Sequence, residues 1–169
     1  EKCSAEGVIT MLMIGGAGGA YQNLFNNFEA NYVQLKQLLE EKTWIQGIDL
    51  DIEESVKIED IQKLMDRLIN DFGEDFIITM APVASTLITD GGSMAGFNYK
   101  DLYQSKQGKY IKWFNTQCYD SFSIDTYHSI INNGYSPDKV VMGMESGQFD
   151  EKTFKEALQT IKILQSEYP

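Results

Sequence analysis

Short apolar segments alternate with amphipathic segments along this chain, and that alternation limits the possible folds more than any other feature. The apolar segments, which predict five strands, are residues 8–14, 44–53, 76–83, 111–119 and 139–144. Strands separated by helices run parallel and are joined by right-handed crossovers. Strands that are apolar along most of their length are typical of sheets covered on both faces. The alternation therefore predicts an α/β protein, either a doubly wound sheet or part of a (β/α)8 barrel.

The segments between these strands predict helices, because their apolar residues recur at helical spacing. The apolar positions of the first helix are Tyr21, Leu24, Phe25, Phe28, Tyr32, Leu35 and Leu39. The second helix covers residues 58–72 and is followed by Gly73, a residue typical of the position just after a helix. Residues 86–97 predict a glycine-rich loop, and Asp150 is expected to cap the last helix.

The composition is that of one globular domain. The 169 residues are 43% apolar and 23% charged, which suits a single domain over residues 1–169. The net charge of −11 argues against nucleic acids and anionic membrane surfaces as partners, and no apolar run is long enough to span a membrane. The chain starts at Glu1 rather than Met, so either its N-terminus is processed, as in a secreted protein, or it is a piece of a longer protein.

Cysteine and histidine, which often bind metals or act in catalysis, are rare here. Cys3 and Cys118 lack the spacing of a metal site and predict free thiols. His128 is the only histidine, and its helix-like surroundings predict a surface or boundary position. The sequence therefore predicts neither a histidine-based triad nor a multi-histidine metal site.

Residues 44–53 contain the most specific chemical signal. Successive side chains of a strand point to opposite faces, so one face of this strand is apolar and the other carries Asp49, Asp51 and Glu53. Three carboxyls within about 7 Å of each other repel when ionised, which predicts a raised pKa for at least one of them. A carboxyl that stays protonated near neutral pH can act as a general acid. The alternative is an ordinary half-buried strand whose polar side faces water.

The ends of the other predicted strands favour the functional interpretation of these acids. Parallel α/β folds bind ligands at the C-terminal ends of their strands. Two glycines occupy such an end at residues 15–16, a polar cluster occupies another at residues 117–120, and methionines occupy two more at residues 80 and 144. The glycines between residues 15 and 19 do not follow G-x-G-x-x-G, and no acid ends the second strand in the ribose-binding manner, so a dinucleotide site is not expected.

Several segments resemble glycoside hydrolase family 18, the family of chitinases and endo-β-N-acetylglucosaminidases. Residues 46–53, QGIDLDIE, resemble the D-x-x-D-x-D-x-E motif of the fourth barrel strand in that family. Four other segments resemble the family less specifically, in the family's order. Residues 11–16 resemble the third-strand S-x-G-G motif, and residues 79–82 resemble the fifth strand. Residues 115–120 resemble the sixth-strand Q-x-Y-[ND] motif, and residues 139–144 resemble the seventh strand. Gln46 and Met13 stand where the family has aspartate and serine, and the chain looks most like a fungal-type subset.

This resemblance implies hydrolysis of β-1,4 bonds next to N-acetylglucosamine, in chitin or chitooligosaccharides, by a retaining, substrate-assisted mechanism without a metal or an organic cofactor. Glu53 would be the acid and base. Asp51 would hold the acetamide N–H and share a proton with Asp49, while the Tyr119 phenol would hydrogen-bond the acetamide oxygen. The resemblance also implies substrate contacts from Gln117, Met80, Gly15, Gly16, Asp120 and Met144.

Packing is the alternative role for several of these residues. Tyr119 can be a core aromatic and Gln117 a structural amide, and the methionines at 80 and 144 suit the packed interior of a barrel. Tyr99 is a weak candidate for stacking on a glycan. Glu54 is expected to be solvated.

By this mapping the chain covers strands three to seven of the barrel and lacks the first two and the eighth. A (β/α)8 barrel needs about 250 residues, and an open arc would expose apolar edges. We therefore expect a fragment, a longer protein, or an assembly in which a second copy of the chain completes the barrel. The alternatives to an enzyme are a non-catalytic, chitinase-like carbohydrate-binding protein and an inactive partial barrel. The presence of Glu53 favours the enzyme, whereas the missing strands favour inactivity of this chain alone.

Overall fold

A sheet of five parallel strands forms the centre of the computed structural model, which describes residues 5–91, 93–148 and 150–169. In chain order the strands are β1 (Thr10–Gly15), β2 (Ile45–Asp51), β3 (Ile77–Met80), β4 (Ile111–Gln117) and β5 (Val140–Gly143). Each predicted strand is therefore present, although each is shorter than the apolar segment that predicted it.

The strands lie side by side in the order of the sequence, from β1 to β5. A doubly wound sheet reverses its strand order at a switch point, whereas each strand of a barrel pairs with the next one along the chain. The unbroken order identifies the fold as an incomplete (β/α)8 barrel, the second of the two predicted architectures. The edges of this open arc are β1 and β5.

Helices connect the strands and cover one face of the sheet. They are α1 (Ala20–Asn26), α2 (Phe28–Glu41), α3 (Ile58–Phe72), α4 (Ala84–Ile88), α5 (Tyr99–Gln104), α6 (Ile124–Asn132) and α7 (Glu151–Glu167). Gly73 follows α3 with a φ of 88°, and its N–H donates to the Ile69 carbonyl at 2.8 Å, as the sequence predicts. The Asp150 side chain accepts the N–H of Thr153 at 2.8 Å, so the predicted cap of α7 is confirmed.

Two predictions about the helices are wrong. The helix expected from Tyr21 to Leu39 is divided, because Asn27 adopts a φ of −141° between α1 and α2. The rings of Phe25 and Phe28 stack across this break with centroids 5.6 Å apart, so the apolar face continues and its spacing resembles that of one helix. The short helix α4 begins before the expected loop and includes the first three residues of that loop, 86–88.

The two faces of β2 differ as the alternation predicts. Ile48 and Leu50 are fully buried in the core beneath the helices. Asp49 and Asp51 lie on the opposite face, which we call the inner face of the sheet. Neighbours on the inner face include Met13 of β1, 56% exposed, and Val141 of β5, 49% exposed. The inner face of the arc is therefore open toward both edge strands.

Among the described residues, no helix is both long enough and apolar enough to cross a membrane. Cys118 is a buried free thiol, as predicted, and burial raises its pKa to about 11. The prediction for Cys3 lies outside the described residues. His128 lies in α6 with its side chain 36% exposed, paired with Glu167 at 2.7 Å, so its predicted boundary position is confirmed.

Candidate active site

The three acids of the predicted site follow one another along the inner face of β2. Asp49 and Asp51 belong to the strand, and Glu53 comes two residues after its end. Partial burial and the negative charges of Glu53 and Asp49 raise the pKa of Asp51 to about 6. The predicted rise in a carboxyl pKa therefore occurs at the central acid.

The side-chain amide of Gln117 connects two of these acids. Its Nε2 atom lies 3.1 Å from Asp51 Oδ1, 3.2 Å from Glu53 Oε1 and 2.8 Å from the Ala81 carbonyl oxygen. An amide nitrogen has two hydrogens for these three acceptors, so at least one contact is shared. The contacts hold both carboxylates toward the end of β4, which gives Gln117 a structural function at the acids.

Asp49 has its own hydrogen-bond donors from β3 and β4. The Thr79 hydroxyl and the Asn115 amide both donate to its Oδ1 atom, the amide at 2.9 Å. The indole N–H of Trp113 in turn donates to Asn115 Oδ1 at 2.9 Å. Sequence reasoning missed Thr79, Trp113 and Asn115 as members of the site. The alternation of side chains on β4 could have indicated two of them, because residues 113, 115 and 117 share the inner face.

Gly15 and Gly16 lie against the end of β2. The Gly16 N–H donates to the Asp51 carbonyl at 2.9 Å, and Gly15 has a φ of 119°. A Cβ atom on Gly15 would lie only 1.8 Å from that carbonyl oxygen, whereas a Cβ atom on Gly16 would lie 3.8 Å from Asp51 Oδ2. Only glycine therefore fits at position 15, and position 16 borders the Asp51 carboxyl.

Glu54 is not solvated as expected. Its carboxylate accepts the backbone N–H groups of Tyr21 at 2.7 Å and Gln22 at 3.0 Å. These donors belong to the first turn of α1, where a negative charge is favourable. Glu54 therefore ties the start of α1 to the segment that carries Glu53.

Tyr119 and Asp120 follow β4 and are both exposed. Tyr119 is 44% exposed, so it is not a core aromatic. Its pKa is raised by partial burial and by the charges of Asp51, Glu145 and Glu53, which indicates that the phenol lies near the acids. Met144, just after β5, is half-buried.

Met80 and Tyr99 do not reach the inner face as substrate contacts. Met80 is fully buried beside Leu50, its register partner, and therefore points into the core beneath the helices. Tyr99 is 1% exposed and cannot stack on a glycan, and its hydroxyl has no hydrogen-bond partner among the described residues. Tyr99 instead lines a cavity of about 10 Å³ beside Glu53 and Gln117. A cavity of this size has room for about one water molecule.

No metal site is found among the residues that the structure describes.

A larger apolar groove of about 320 Å³ lies at the edge of the arc, between β5 and α7, and is lined by Phe122, Val140, Met142, Leu164 and Tyr168. It contains none of the acids and follows from the open edge of the sheet. The three acids therefore lie at the end of β2, away from this groove.

Neither protein-family models nor curated proteins match this chain, but solved structures do. A fungal endo-β-N-acetylglucosaminidase from glycosyl hydrolase family 18 is 34% identical over 99% of this chain, with a TM-score of 0.85. The chitinase ChiC from Aspergillus fumigatus is 37% identical over 83% of this chain, with a TM-score of 0.76. The chain spans 62% of the first of these structures and 52% of the second.

A more distant structure shares the fold. The C-terminal domain of ChiA from Legionella pneumophila is 20% identical over 73% of this chain and 44% of its own length, with a TM-score of 0.55. Identity at that level is evidence for the architecture alone.

Proposed function

We propose that this chain, which belongs to glycoside hydrolase family 18, is the acid-bearing part of an enzyme that cleaves β-1,4 bonds next to N-acetylglucosamine. The observation that carries the proposal is the row of Asp49, Asp51 and Glu53 on the inner face, with one amide, that of Gln117, connecting the last two. The relatives are described as a chitinase and an endo-β-N-acetylglucosaminidase, which supports a substrate containing N-acetylglucosamine.

In the proposed reaction Glu53 donates a proton to the glycosidic oxygen while the bond from that oxygen to the anomeric carbon breaks. The acetamide oxygen of the substrate forms the new bond to the anomeric carbon, which gives an oxazolinium ion. Asp51 holds the acetamide N–H and balances the positive charge. A water molecule then attacks the same carbon and gives a proton to Glu53, while the bond from that carbon to the acetamide oxygen breaks. The acetamide is restored, and the configuration at the anomeric carbon is retained.

The environment of Asp51 supports this assignment of roles. A carboxyl with a pKa of about 6 exchanges its proton near neutral pH. Asp49 is the partner with which Asp51 shares that proton, since two adjacent carboxylates resist double ionisation. The phenol of Tyr119 is exposed and, in this proposal, hydrogen-bonds the acetamide oxygen of the substrate.

Substrate contacts are proposed for the residues that border the acids. Gly16 is adjacent to the Asp51 carboxyl, and Gly15 holds the turn that brings it there. Asp120 and Met144 are candidates at the ends of β4 and β5. Met80 is left out because it points into the core.

Residues 1–169 form one partial catalytic domain in this proposal. The exposed inner-face residues Met13 and Val141, and the greater length of the relatives, support completion of the barrel by further strands. Those strands come either from a longer parent chain or from a second copy of this one. The open arc also favours a second candidate function for the chain alone, namely carbohydrate binding without turnover.

The test is the substitution Glu53→Gln, with chitooligosaccharide hydrolysis and binding measured for both proteins. We expect turnover to fall by about 10²–10⁴-fold because the proton donor is lost, while binding changes little. Glu74→Gln, at an exposed acid before β3 and so at the opposite end of the strands, is the matched control and should keep full turnover. Unchanged turnover in Glu53→Gln would refute the mechanism. Binding without turnover in the unmodified chain would favour the binding function.

A further inference from the structure

The loop between α4 and α5 is fixed to the chain just after the three acids. The Val56 N–H donates to the Ala95 carbonyl at 2.9 Å. Gly96 has a φ of 79°, and a Cβ atom there would lie only 2.3 Å from Ser55 Oγ. Ser55 and Val56 follow Glu53 closely in the sequence. These contacts therefore hold the loop beside the proposed acid.

The same loop is held within itself by a tight turn. The Gly96 N–H donates to the Ser93 carbonyl at 3.1 Å, and the Ser93 hydroxyl donates to the Phe97 carbonyl at 2.6 Å. Ala95 is 1% exposed, whereas its neighbour Met94 is 52% exposed. The turn therefore buries one side chain under the loop and presents the Met94 side chain on its outer side.

Met94 lies beside Glu53. Both residues line the cavity of about 10 Å³ that Gln117 also lines, whereas Asp49 and Asp51 are not among the described residues that line it. In the proposed reaction Asp51 holds the acetamide of the sugar whose anomeric bond breaks, and Glu53 protonates the oxygen that joins this sugar to the leaving group. The leaving group therefore extends past Glu53, where Met94 lies.

An exposed methionine suits one face of a sugar ring. A β-linked pyranose carries its hydroxyls around its edge and presents C–H groups on its faces, and ligand sites combine such apolar contacts with a few polar groups. The methionine side chain is flexible and polarizable, so it can follow such a face closely. Among the described residues of this loop, Met94 is the large apolar side chain exposed to solvent.

We propose that Met94 is a specificity-determining residue, which packs on the apolar face of the leaving-group sugar and so favours a saccharide over a small alcohol as the leaving group. This inference rests on the proposed function, because it requires Glu53 to protonate the glycosidic oxygen. It goes beyond that function by assigning a contact on the side of the breaking bond opposite to the aspartates.

The first test compares two substrates of Met94→Ala. Chitotetraose has a sugar leaving group, whereas the oxazoline of chitobiose has none, because it corresponds to the intermediate formed after the bond has broken. We expect kcat/KM for chitotetraose to fall by about tenfold, since an apolar contact with the leaving group is lost. Hydrolysis of the oxazoline should be unchanged.

Two variants serve as controls for this comparison. Met94→Leu keeps most of the apolar volume and should retain most of the activity on chitotetraose. Val33→Ala truncates an apolar side chain of α2 that is 57% exposed, and it should leave the hydrolysis of both substrates unchanged.

The second test needs no turnover. In Glu53→Gln the methionine methyl groups are labelled with ¹³C, and chitotetraose is added while NMR spectra are recorded. The Met94 signal, identified by its absence in Met94→Leu, should move and should show NOE contacts to the ring C–H protons of the sugar. The signal of Met65, fully buried in α3, should stay in place.

The proposal is overturned if chitotetraose binds while the Met94 signal stays in place, or if Met94→Ala changes the hydrolysis of the two substrates by the same factor. Failure of the proposed function gives a different result, because the unmodified chain would then hydrolyse neither chitotetraose nor the oxazoline. That result would overturn both the proposed function and this inference.

Discussion

Replacing Asp51 with asparagine should stabilise the fold above neutral pH. The folded protein holds the Asp51 proton up to a pKa of about 6, whereas an unfolded aspartate has an ordinary value of 3.8. Two pH units correspond to about 3 kcal/mol. Because the side chain is only half-buried, solvent screening reduces this to about 1–2 kcal/mol. Asparagine carries no charge, and its oxygen can still accept the Gln117 amide.

The sign of the pH dependence follows from the raised pKa. Between about pH 4 and about pH 6 the folded chain binds the proton that the unfolded chain has lost, so wild-type stability falls as the pH rises through this window. The advantage of Asp51→Asn should therefore be largest at about pH 8 and should shrink as the pH falls to about 5. Lower values approach the isoelectric point of about 4.4, where solubility is least.

The assay is urea unfolding followed by circular dichroism for both proteins across this range. Asp75→Asn, which removes a carboxyl at an exposed position before β3, is the matched control. An advantage of Asp51→Asn that is the same at about pH 5 and about pH 8 would refute the electrostatic reasoning. So would a loss of stability at the higher pH.

Two further matched comparisons test the packing around the site by urea unfolding. Gly15→Ala should destabilise the fold by more than about 2 kcal/mol, because the added Cβ would overlap a carbonyl of β2. Gly18→Ala is its control and should change stability by less than about 1 kcal/mol, because nothing lies within 4 Å of the added Cβ. Equal effects would contradict the close approach at position 15. Tyr21→Phe should lower the free energy of unfolding by about 1 kcal/mol, because the Tyr21 hydroxyl donates to a β1 carbonyl at 2.9 Å. Tyr99→Phe should leave the free energy of unfolding unchanged, because the buried Tyr99 hydroxyl has no hydrogen-bond partner among the described residues. A larger loss in Tyr99→Phe than in Tyr21→Phe would show that the Tyr99 hydroxyl has a structural function.

Local periodicity predicted the elements of this fold well and their limits less well. The alternation of segments predicted all five strands, and the caps at Gly73 and Asp150 were located correctly. The break at Asn27 was missed because the aromatic face of α1 and α2 continues across it. Spacing reports which residues share a face and does not report where the backbone changes direction.

The acids were predicted from the sequence, and most of their partners were not. Alternation on β2 is a local property, so the common face of Asp49, Asp51 and Glu53 could be inferred without any tertiary contact. Glu54 was misjudged for the opposite reason, since its donors in α1 lie 32 and 33 residues earlier. Met80 was misjudged because its place at a strand end was given more weight than the alternation on β3, where the polar Thr79 marks the inner face and Met80 therefore lies on the other.

The sequence by itself determined the class of fold, the strand that carries the acids and the face on which they lie. These follow from periods of two and of about 3.6 residues, which are written in the chain itself. Only the tertiary structure decided which carboxyl has the raised pKa and which residues hold the others. Asn115 and Asp49 are 66 residues apart, as are Gln117 and Asp51, and Thr79 and Asp49 are 30 residues apart. A pKa depends on burial and on distances between strands, and these exist only once the sheet has formed.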